Sequence, residues 1–553
     1  MSAKGIFDVL VLGAGAAGCA AARSIALKYP NATVCLVEKG TRRPPPLAMR
    51  VPLLTPIIPS LRSTREFIRT YHGVPEGNIG GRHLTYVRGR GLGGSSWCND
   101  MKYLRGTATD YEAWGDPAWS FEQLLPFFNK LERNSRGASD FHGDNGPLAV
   151  SDAPRSNINS ELNIRWFEAC EALGIPETVD FNNGVADGFS AFQSHIARGV
   201  RVDVFDALLE VDRHLFPNLT IMSGVTAHRL LFNGQQVRGV EILNNQGREV
   251  QNLSASRVVI CLGSLDSPAL LQRSGVGSGG KVAELPGVGQ NLIQSCSATI
   301  VFGIKQSPNL HSKSLSWGNV GYLLREWKEY GEERSGIFAS LAEGGAFVRS
   351  TPTLKWPDLS LTFFPTPNLR WCGWIPFDGF AVRVTHHYPQ SRGEVVDITA
   401  SKEEKEKKEG KNKKDDTLRI TSGMLSTQHD VQCMDEGVRW VGSLCTAAMS
   451  MHHHDLHGIP TSPFSSLGVH VRHPPRGLQT RLDTAAFLGE YAESGGDLFG
   501  TCAIGEVVDN ALRVRGVDGV HVADASIVPT PTCGASSVIG AAIGSRVALF
   551  LQS

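Results

Sequence analysis

Phe7–Gly40, FDVLVLGAGAAGCAAARSIALKYPNATVCLVEKG, restricts the fold more than any other stretch of the chain. It reads strand, turn, helix, strand, and Gly13, Gly15 and Gly18 form G-x-G-x-x-G at the turn. The first glycine permits a sharp turn, the second lets backbone approach a pyrophosphate, and the third lets helix pack on strand. The helix then offers free N–H groups and a positive dipole end to phosphate. Glu38 ends the second strand 20 residues beyond Gly18. An acid there accepts hydrogen bonds from both ribose hydroxyls and repels a 2′-phosphate. Strand, helix and acid agree with the glycines, so this is a nucleotide site; its spacing alone does not separate FAD from NAD.

A chain of 553 residues exceeds one compact core, so two connected domains are expected. Lys+Arg and Asp+Glu balance at 54 each, which gives nucleic acid or an anionic membrane no bulk attraction. The 60 glycines suit tight turns and close backbone approach to a ligand. Eleven cysteines without a C-x-x-C pair argue against a zinc ribbon or a disulfide-dense secreted domain, and for free thiols in a reducing compartment. The first strand begins at Phe7, leaving no room for a signal peptide; a cytoplasmic location is expected, with organelle import left open. The apolar run SSVIGAAIGSRVALFL contains Arg546 and is too short to span a bilayer, so no transmembrane segment is expected.

Two further segments select the cofactor. Tyr86–Gly106, YVRGRGLGGSSWCNDMKYLRG, carries a glycine/serine loop able to wrap a ligand with backbone donors. Gly263–Gly277, GSLDSPALLQRSGVG, follows the apolar RVVICLG and opens a helix at Ser267-Pro268. These resemble the two signatures of the glucose–methanol–choline (GMC) flavoprotein oxidoreductases, the first departing at Cys98, where an aliphatic residue is usual. LPGVGQNL (Leu285–Leu292) and VVDNALRVRGVDGVHVADASIVPTP (Val507–Pro531) look like further blocks of that family, and the resemblance runs from Phe7 to about Leu551.

The resemblance implies FAD and an α/β fold: a Rossmann-like FAD-binding domain with a second, antiparallel-sheet substrate domain. The FAD domain is expected over 5–295 and 480–553, and the substrate domain over 296–479. Strands such as PDLSLTFFP and GFAVRVTHHYPQ would lie over the flavin. Carried over by position, Gly13, Gly15, Ala16, Ala17, Gly18 and Glu38 hold the ADP part. Gly91, Ser95, Asn99, Asp100 and Met101 lie along the flavin and ribityl chain. Ala227 offers backbone to adenine. Asp524 and Ala525 meet pyrophosphate and ribityl. Gly534 and Ala535 precede a helix whose N-terminus faces the flavin pyrimidine ring, where its dipole favours negative charge.

The family oxidises alcohols with a histidine in an H-x-x-G-T-C block and a second His or Asn before the last helix. Here DLFGTC puts Asp497 at the first position and Ala535 falls at the second. A carboxylate is a weak base at an ordinary pKa, but burial beside flavin raises it, so Asp497 stands either as a substitute base or as a turn residue. The chain also resembles the fatty acid photodecarboxylase branch, in GGSSWCNDMKYLRGTATDYEAWG, GAFVRS and HHYPQSRGEV. That branch uses a cysteine, whose place His387 takes, and an arginine, for which Arg419 is best placed. On a strand only one of His386 and His387 can face the cofactor, and His387 is the candidate displaced base or donor.

Three functions follow: a flavin-dependent oxidoreductase on CH–OH donors, a lyase or decarboxylase of a fatty-acid-like carboxylate, and a catalytically degenerate flavin-binding protein. The substrate is a small molecule in the first two. The charged insertion 402–416 has thirteen charged residues in fifteen and reads as a solvated loop. MHHHDLHG (451–458) reads as a surface helix end, and no metal is expected.

Overall fold

The apolar run Ile6–Leu12 is a strand buried between two parallel neighbours, Val34–Glu38 and Val250–Ile260. Leu219–Ser223 continues the parallel order beyond Val34–Glu38. Val250–Ile260 changes partners along its length. Val250–Ser254 pairs antiparallel with Gln236–Asn244, which pairs with Val225–Asn233, while Val258–Ile260 pairs in parallel with Val520–Val522. A residue run near the C-terminus thereby completes the N-terminal nucleotide sheet. In the computed structural model the described residues are 5–42, 44–158, 160–244, 249–305, 320–367, 378–400, 417–446, 462–474, 478 and 480–551. The charged insertion 402–416 and the histidine-rich 451–458 lie outside them.

Two helices start at the same side of this sheet, Ala16–Lys28 and Ser536–Val547. Their contact is made of small residues, because the backbones nearly touch. A Cβ at Gly544 would lie 2.1 Å from the Ala17 carbonyl oxygen. The Gly263–Arg273 helix begins four residues before the expected Ser267. Its start is fixed by Asp524, whose carboxylate accepts from Gly263 N–H and the Ser267 hydroxyl. Pro268 therefore falls inside the helix and has no N–H for the Ser264 carbonyl. That oxygen instead accepts from the Thr501 hydroxyl at 2.8 Å.

The second sheet is antiparallel. Its order is His470–His473, Ile293–Gly303, Gly379–His386, Leu359–Phe364, Gly344–Val348 and Gly188–Ala191, with Glu493–Phe499 on the start of Ile293–Gly303. Gly188–Ala191 and Glu493–Phe499 come from outside 296–479. Side-chain alternation divides the two faces. Val382 and Val384 pack with Met434, Val438 and Val441 of the helix Gln428–Cys445. Ala381 and Phe364 turn the other way, toward Met101. Arg383 belongs to that second face. Among the described residues, no helix is long and apolar enough to cross a membrane.

Candidate active site

A cavity of about 550 Å³ runs from the first glycine turn to the start of the last helix. Gly13, Gly15, Ala16, Ala17, Glu38, Ser95, Ala227, Asp524 and Ala525 all line it. The turn explains why. Gly13 has φ +97°, and a Cβ at Gly18 would lie 1.7 Å from the Gly13 carbonyl oxygen. A Cβ at Gly15 meets nothing within 4 Å, since that position faces the open cavity. No side chain caps the first turn of Ala16–Lys28, so its N–H groups are left to a ligand.

Glu38 is buried and accepts from three backbone N–H groups: Ala14 at 2.9 Å, Gly40 at 2.8 Å and Gly91 at 3.0 Å. Burial pushes its pKa up, while those donors and Arg90 oppose the rise. Gly91 acts through this bond and does not line the cavity. Gly18 likewise serves the turn by packing. Asp524 accepts at both oxygens, from Gly263, Ser267 and Ser526, and so ties three segments at the cavity wall. Asn99 and Met101 line a small adjoining pocket with Ala16 and Ser537. Glycines that admit no side chain, uncapped helix N–H groups and a buried acid at the cavity wall form a lining that fits FAD.

Asp497 does not itself line the cavity, but its neighbours do. Glu493–Phe499 pairs regularly at Ser494 and Leu498, but the partner strand advances only from Cys296 to Gln294. Gly495–Asp497 bulges out to absorb the mismatch, with Gly496 at φ +101° and its carbonyl held by Arg88 at 2.7 Å. Such a bulge re-aims a side chain. Asp497 Oδ1 accepts from Ser536 N–H at 2.7 Å, at the start of the last helix. Leu498 and Ser536 both line the cavity. Burial raises the Asp497 pKa, against the pull of Ser536, Arg88 and Lys102. Ala535 donates its N–H to the Leu104 carbonyl at 2.8 Å, and Gly534 admits no side chain because a Cβ would lie 2.9 Å from the Arg105 carbonyl. Neither Gly534 nor Ala535 lines the cavity; Ser536 and Ser537 do.

Lys102 acts on Asp497 through its charge, and Arg383 acts on Lys102. Met101 adopts φ +62°, which turns the chain between Asp100 and Lys102. Lys102 Nζ donates to Thr362 Oγ1 at 3.1 Å. Burial lowers its pKa, while Asp100 and Asp497 favour its charge. Asp100 pairs with Arg383 on the second sheet. The Arg383 Nε is buried without a hydrogen-bond partner among the described residues. His387 accepts or donates at Nε2 to Ser360 Oγ at 2.7 Å, and burial together with Lys102 and His386 pushes its pKa down to about 3. It is a neutral imidazole. Arg419 does not join this cluster. It projects from the hairpin Glu394–Asp397/Leu418–Thr421, is 47% exposed in its side chain, pairs with Glu394 at 3.7 Å and lines neither cavity. The hairpin docks on Gln272 and Gly289, which holds it at the nucleotide side.

The sequence reading missed Lys102 and Arg383. The signal was there: Lys102 follows the expected flavin contacts directly, and Arg383 interrupts an apolar strand, GFAVRVTHH.

Family models described as GMC oxidoreductase match residues 7–296 and 408–544. An oxygen-dependent choline dehydrogenase of Acinetobacter baumannii (strain AYE) is 30% identical over 98% of this chain and 96% of its own length. One of Pseudomonas fluorescens (strain Pf0-1) is 31% identical over 96% of this chain and 90% of its own. Pyridoxine 4-oxidase from Mesorbium loti has the same fold, with TM-score 0.79 and 25% identity over 98% of each chain. A formate oxidase of Aspergillus oryzae RIB40 superposes with TM-score 0.84 at 23% identity over 99% of this chain and 98% of the other, a likeness of fold.

Proposed function

Because the chain belongs to the GMC oxidoreductase family and is an FAD-dependent oxidoreductase, we propose that it oxidises the CH–OH group of a small alcohol and that Asp497 accepts the hydroxyl proton. Bound FAD supplies the hydride acceptor. The observation that carries the role of Asp497 is its hydrogen bond from Ser536 N–H at the cavity wall, combined with a pKa that burial raises. A raised pKa makes the carboxylate a better proton acceptor near neutral pH. His387, neutral and oriented by Ser360, positions the alcohol without taking its proton. The relatives are oxidoreductases, which disfavours the lyase and degenerate readings.

Lys102 gives the substrate a sign. Asp100 pairs with Arg383, which Glu493 also faces, and Asp497 becomes neutral when it takes a proton, so Lys102 is the cation offered to the substrate. We infer an alcohol carrying a carboxylate or another acceptor-rich group, in contrast to the quaternary ammonium of choline. The division into 5–295 with 480–553 and 296–479 is retained as a proposal, with Gly188–Ala191 and Glu493–Phe499 shared across it. Nine of the ten free cysteines described are buried, which suits a reducing compartment and our proposed cytoplasmic location.

The experiment is anaerobic flavin reduction followed in the visible spectrum. The purified enzyme meets a hydroxy acid series, neutral alcohols and choline. Bleaching fastest with a hydroxy acid is the expected result. Bleaching by choline alone would overturn the substrate class, and no bleaching by any alcohol would overturn the reaction.

A further inference from the structure

On the opposite face of the second sheet, His386, His429 and Cys433 hold ligand atoms that all lie within 4.8 Å of one another. We propose that these three side chains bind a soft divalent transition metal, zinc first among them, with the fourth position taken by Asp430 Oδ1 or water. The site lies across the sheet from Asp497 and is independent of the substrate proposed there.

The arrangement follows from two periodicities. His429 and Cys433 are four apart on the helix Gln428–Cys445, so they share one face. Cys433 Sγ lies 3.7 Å from His429 Nε2. His386 ends the strand Gly379–His386 that this helix covers, and its side chain points to the helix side, opposite to Arg383.

His386 is fully buried. Nδ1 bonds the Asp358 carbonyl at 3.4 Å, which requires Nδ1 to carry the proton. The His386 Nε2, without a well-formed hydrogen bond among the described residues, is directed at Asp430 Oδ1 beside His429 and Cys433. A carbonyl-bonded Nδ1–H is the usual means of orienting a metal-bound imidazole. A metal ion would take the Nε2 lone pair and the facing carboxylate oxygen together. Asp430 Oδ1 lies 3.5 Å from His386 Nε2 and 3.4 Å from His429 Nδ1. The carboxylate is itself fixed by N–H groups of Gln390 and Ser391. His429 is 45% exposed in its side chain, which gives the ion a path from solvent and the ring room to swing in. Two nitrogens and a sulfur select zinc-like ions over magnesium or calcium. Binding releases the Cys433 proton, since the thiolate is the ligand.

The ion would tie the helix to the strand that carries Arg383 and His387. The test uses the chelator-treated, untagged holoenzyme, still yellow with flavin. It is titrated with Zn²⁺ against a chromogenic chelator, and with Co²⁺ for thiolate-coloured d–d bands to the red of flavin absorption. One tight equivalent per chain is expected. Cys433→Ser and His429→Ala should each weaken binding by roughly tenfold or more, with flavin content unchanged as the check on folding. Cys433→Ser should also remove the thiolate character of the cobalt spectrum. An absence of stoichiometric binding in the wild type would overturn the proposal. So would binding that both variants leave unchanged, because the ion would then sit elsewhere.

Discussion

The nucleotide cradle and the polar cluster at Asp497 adjoin each other but are built by opposite means. In the cradle the groups that face the ligand are backbone N–H and the bare surfaces of small residues. Gly13 to Gly18 supply most of them within one turn, and Glu38 is oriented by N–H groups of Ala14, Gly40 and Gly91. In the cluster every functional group is a side chain, and they come from three places: Lys102 from a loop, Arg383 and His387 from a strand and its end, Asp497 from a bulge. Backbone recognition fixes a cofactor by shape and tolerates little substitution. Side-chain recognition can be rewritten one residue at a time, which lets Asp497 and Ala535 stand where the family usually keeps polar histidine or asparagine.

The largest effect should come from breaking the cradle. Gly18→Ala puts a methyl 1.7 Å from a backbone oxygen that cannot move aside, so the purified protein should lose its flavin and melt at lower temperature. Gly15→Ala is the contrast. Its methyl enters open cavity, so the apoprotein should melt as the wild-type apoprotein does while holding FAD more weakly. Flavin-to-protein absorbance ratio and thermal melts read both. A Gly18→Ala protein with full flavin would show that the turn is not as tight as its geometry.

Next is the proton acceptor. Asp497→Asn keeps an oxygen for Ser536 N–H, so flavin should stay bound, yet the rate of flavin reduction should fall about 10²–10⁴-fold. The wild-type rate should fall as pH drops through the Asp497 pKa, because protonation removes the base. Burial raises that pKa, so this acid limb should lie above the ordinary carboxylate range. His387 cannot produce it, since its pKa is pushed down to about 3. An unchanged acid limb in Asp497→Asn would move the base elsewhere.

The same contrast decides what could be read in the sequence. Gly13, Gly15 and Glu38 were legible because their partners are local: turn, helix and strand lie within one contiguous segment. Asp524 and Ala227 were legible through resemblance alone. Asp497 was visible as a substitution, but not its bond to Ser536, which depends on a bulge created by pairing with Ile293–Gly303. The Gly263 helix start was misread because Pro268 is an ordinary helix opener, and only Asp524, far along the chain, fixes the earlier start. Arg419 follows the charged insertion, and its place on the hairpin Glu394–Asp397/Leu418–Thr421 is set by pairing that local sequence does not show. Arg383 was missed because its meaning lies in the sheet face it occupies.

A smaller effect should follow from the cations. Lys102→Met keeps length and removes charge. It should raise KM for a hydroxy acid about tenfold to a hundredfold, the scale of one lost charge-assisted hydrogen bond, and leave neutral alcohols nearly unaffected. Equal losses for both substrates would mean that Lys102 shapes the cluster and does not select charge.

The smallest effect probes the seam between the two regions. Leu104 holds the start of the last helix, and its neighbour Arg105 is fully buried against Glu132 at 2.7 Å. Glu132 and Asp180 also flank His142, at 2.8 Å and 2.9 Å. Burial alone would push the His142 pKa down, but hydrogen bonds to Asp180 and Glu132 more than reverse it, raising it from 6.5 to about 9. A histidine whose folded pKa is raised stabilises fully below its unfolded value, and that contribution is lost as pH rises through the folded one. The shift is worth on the order of 3 kcal/mol, a few degrees of Tm in a chain of this size. Wild-type Tm should therefore drop between neutral pH and about pH 10, and His142→Gln should flatten that part of the profile while lowering Tm at neutral pH. If His142→Gln melts with the wild-type pH profile, the seam owes nothing to the imidazolium.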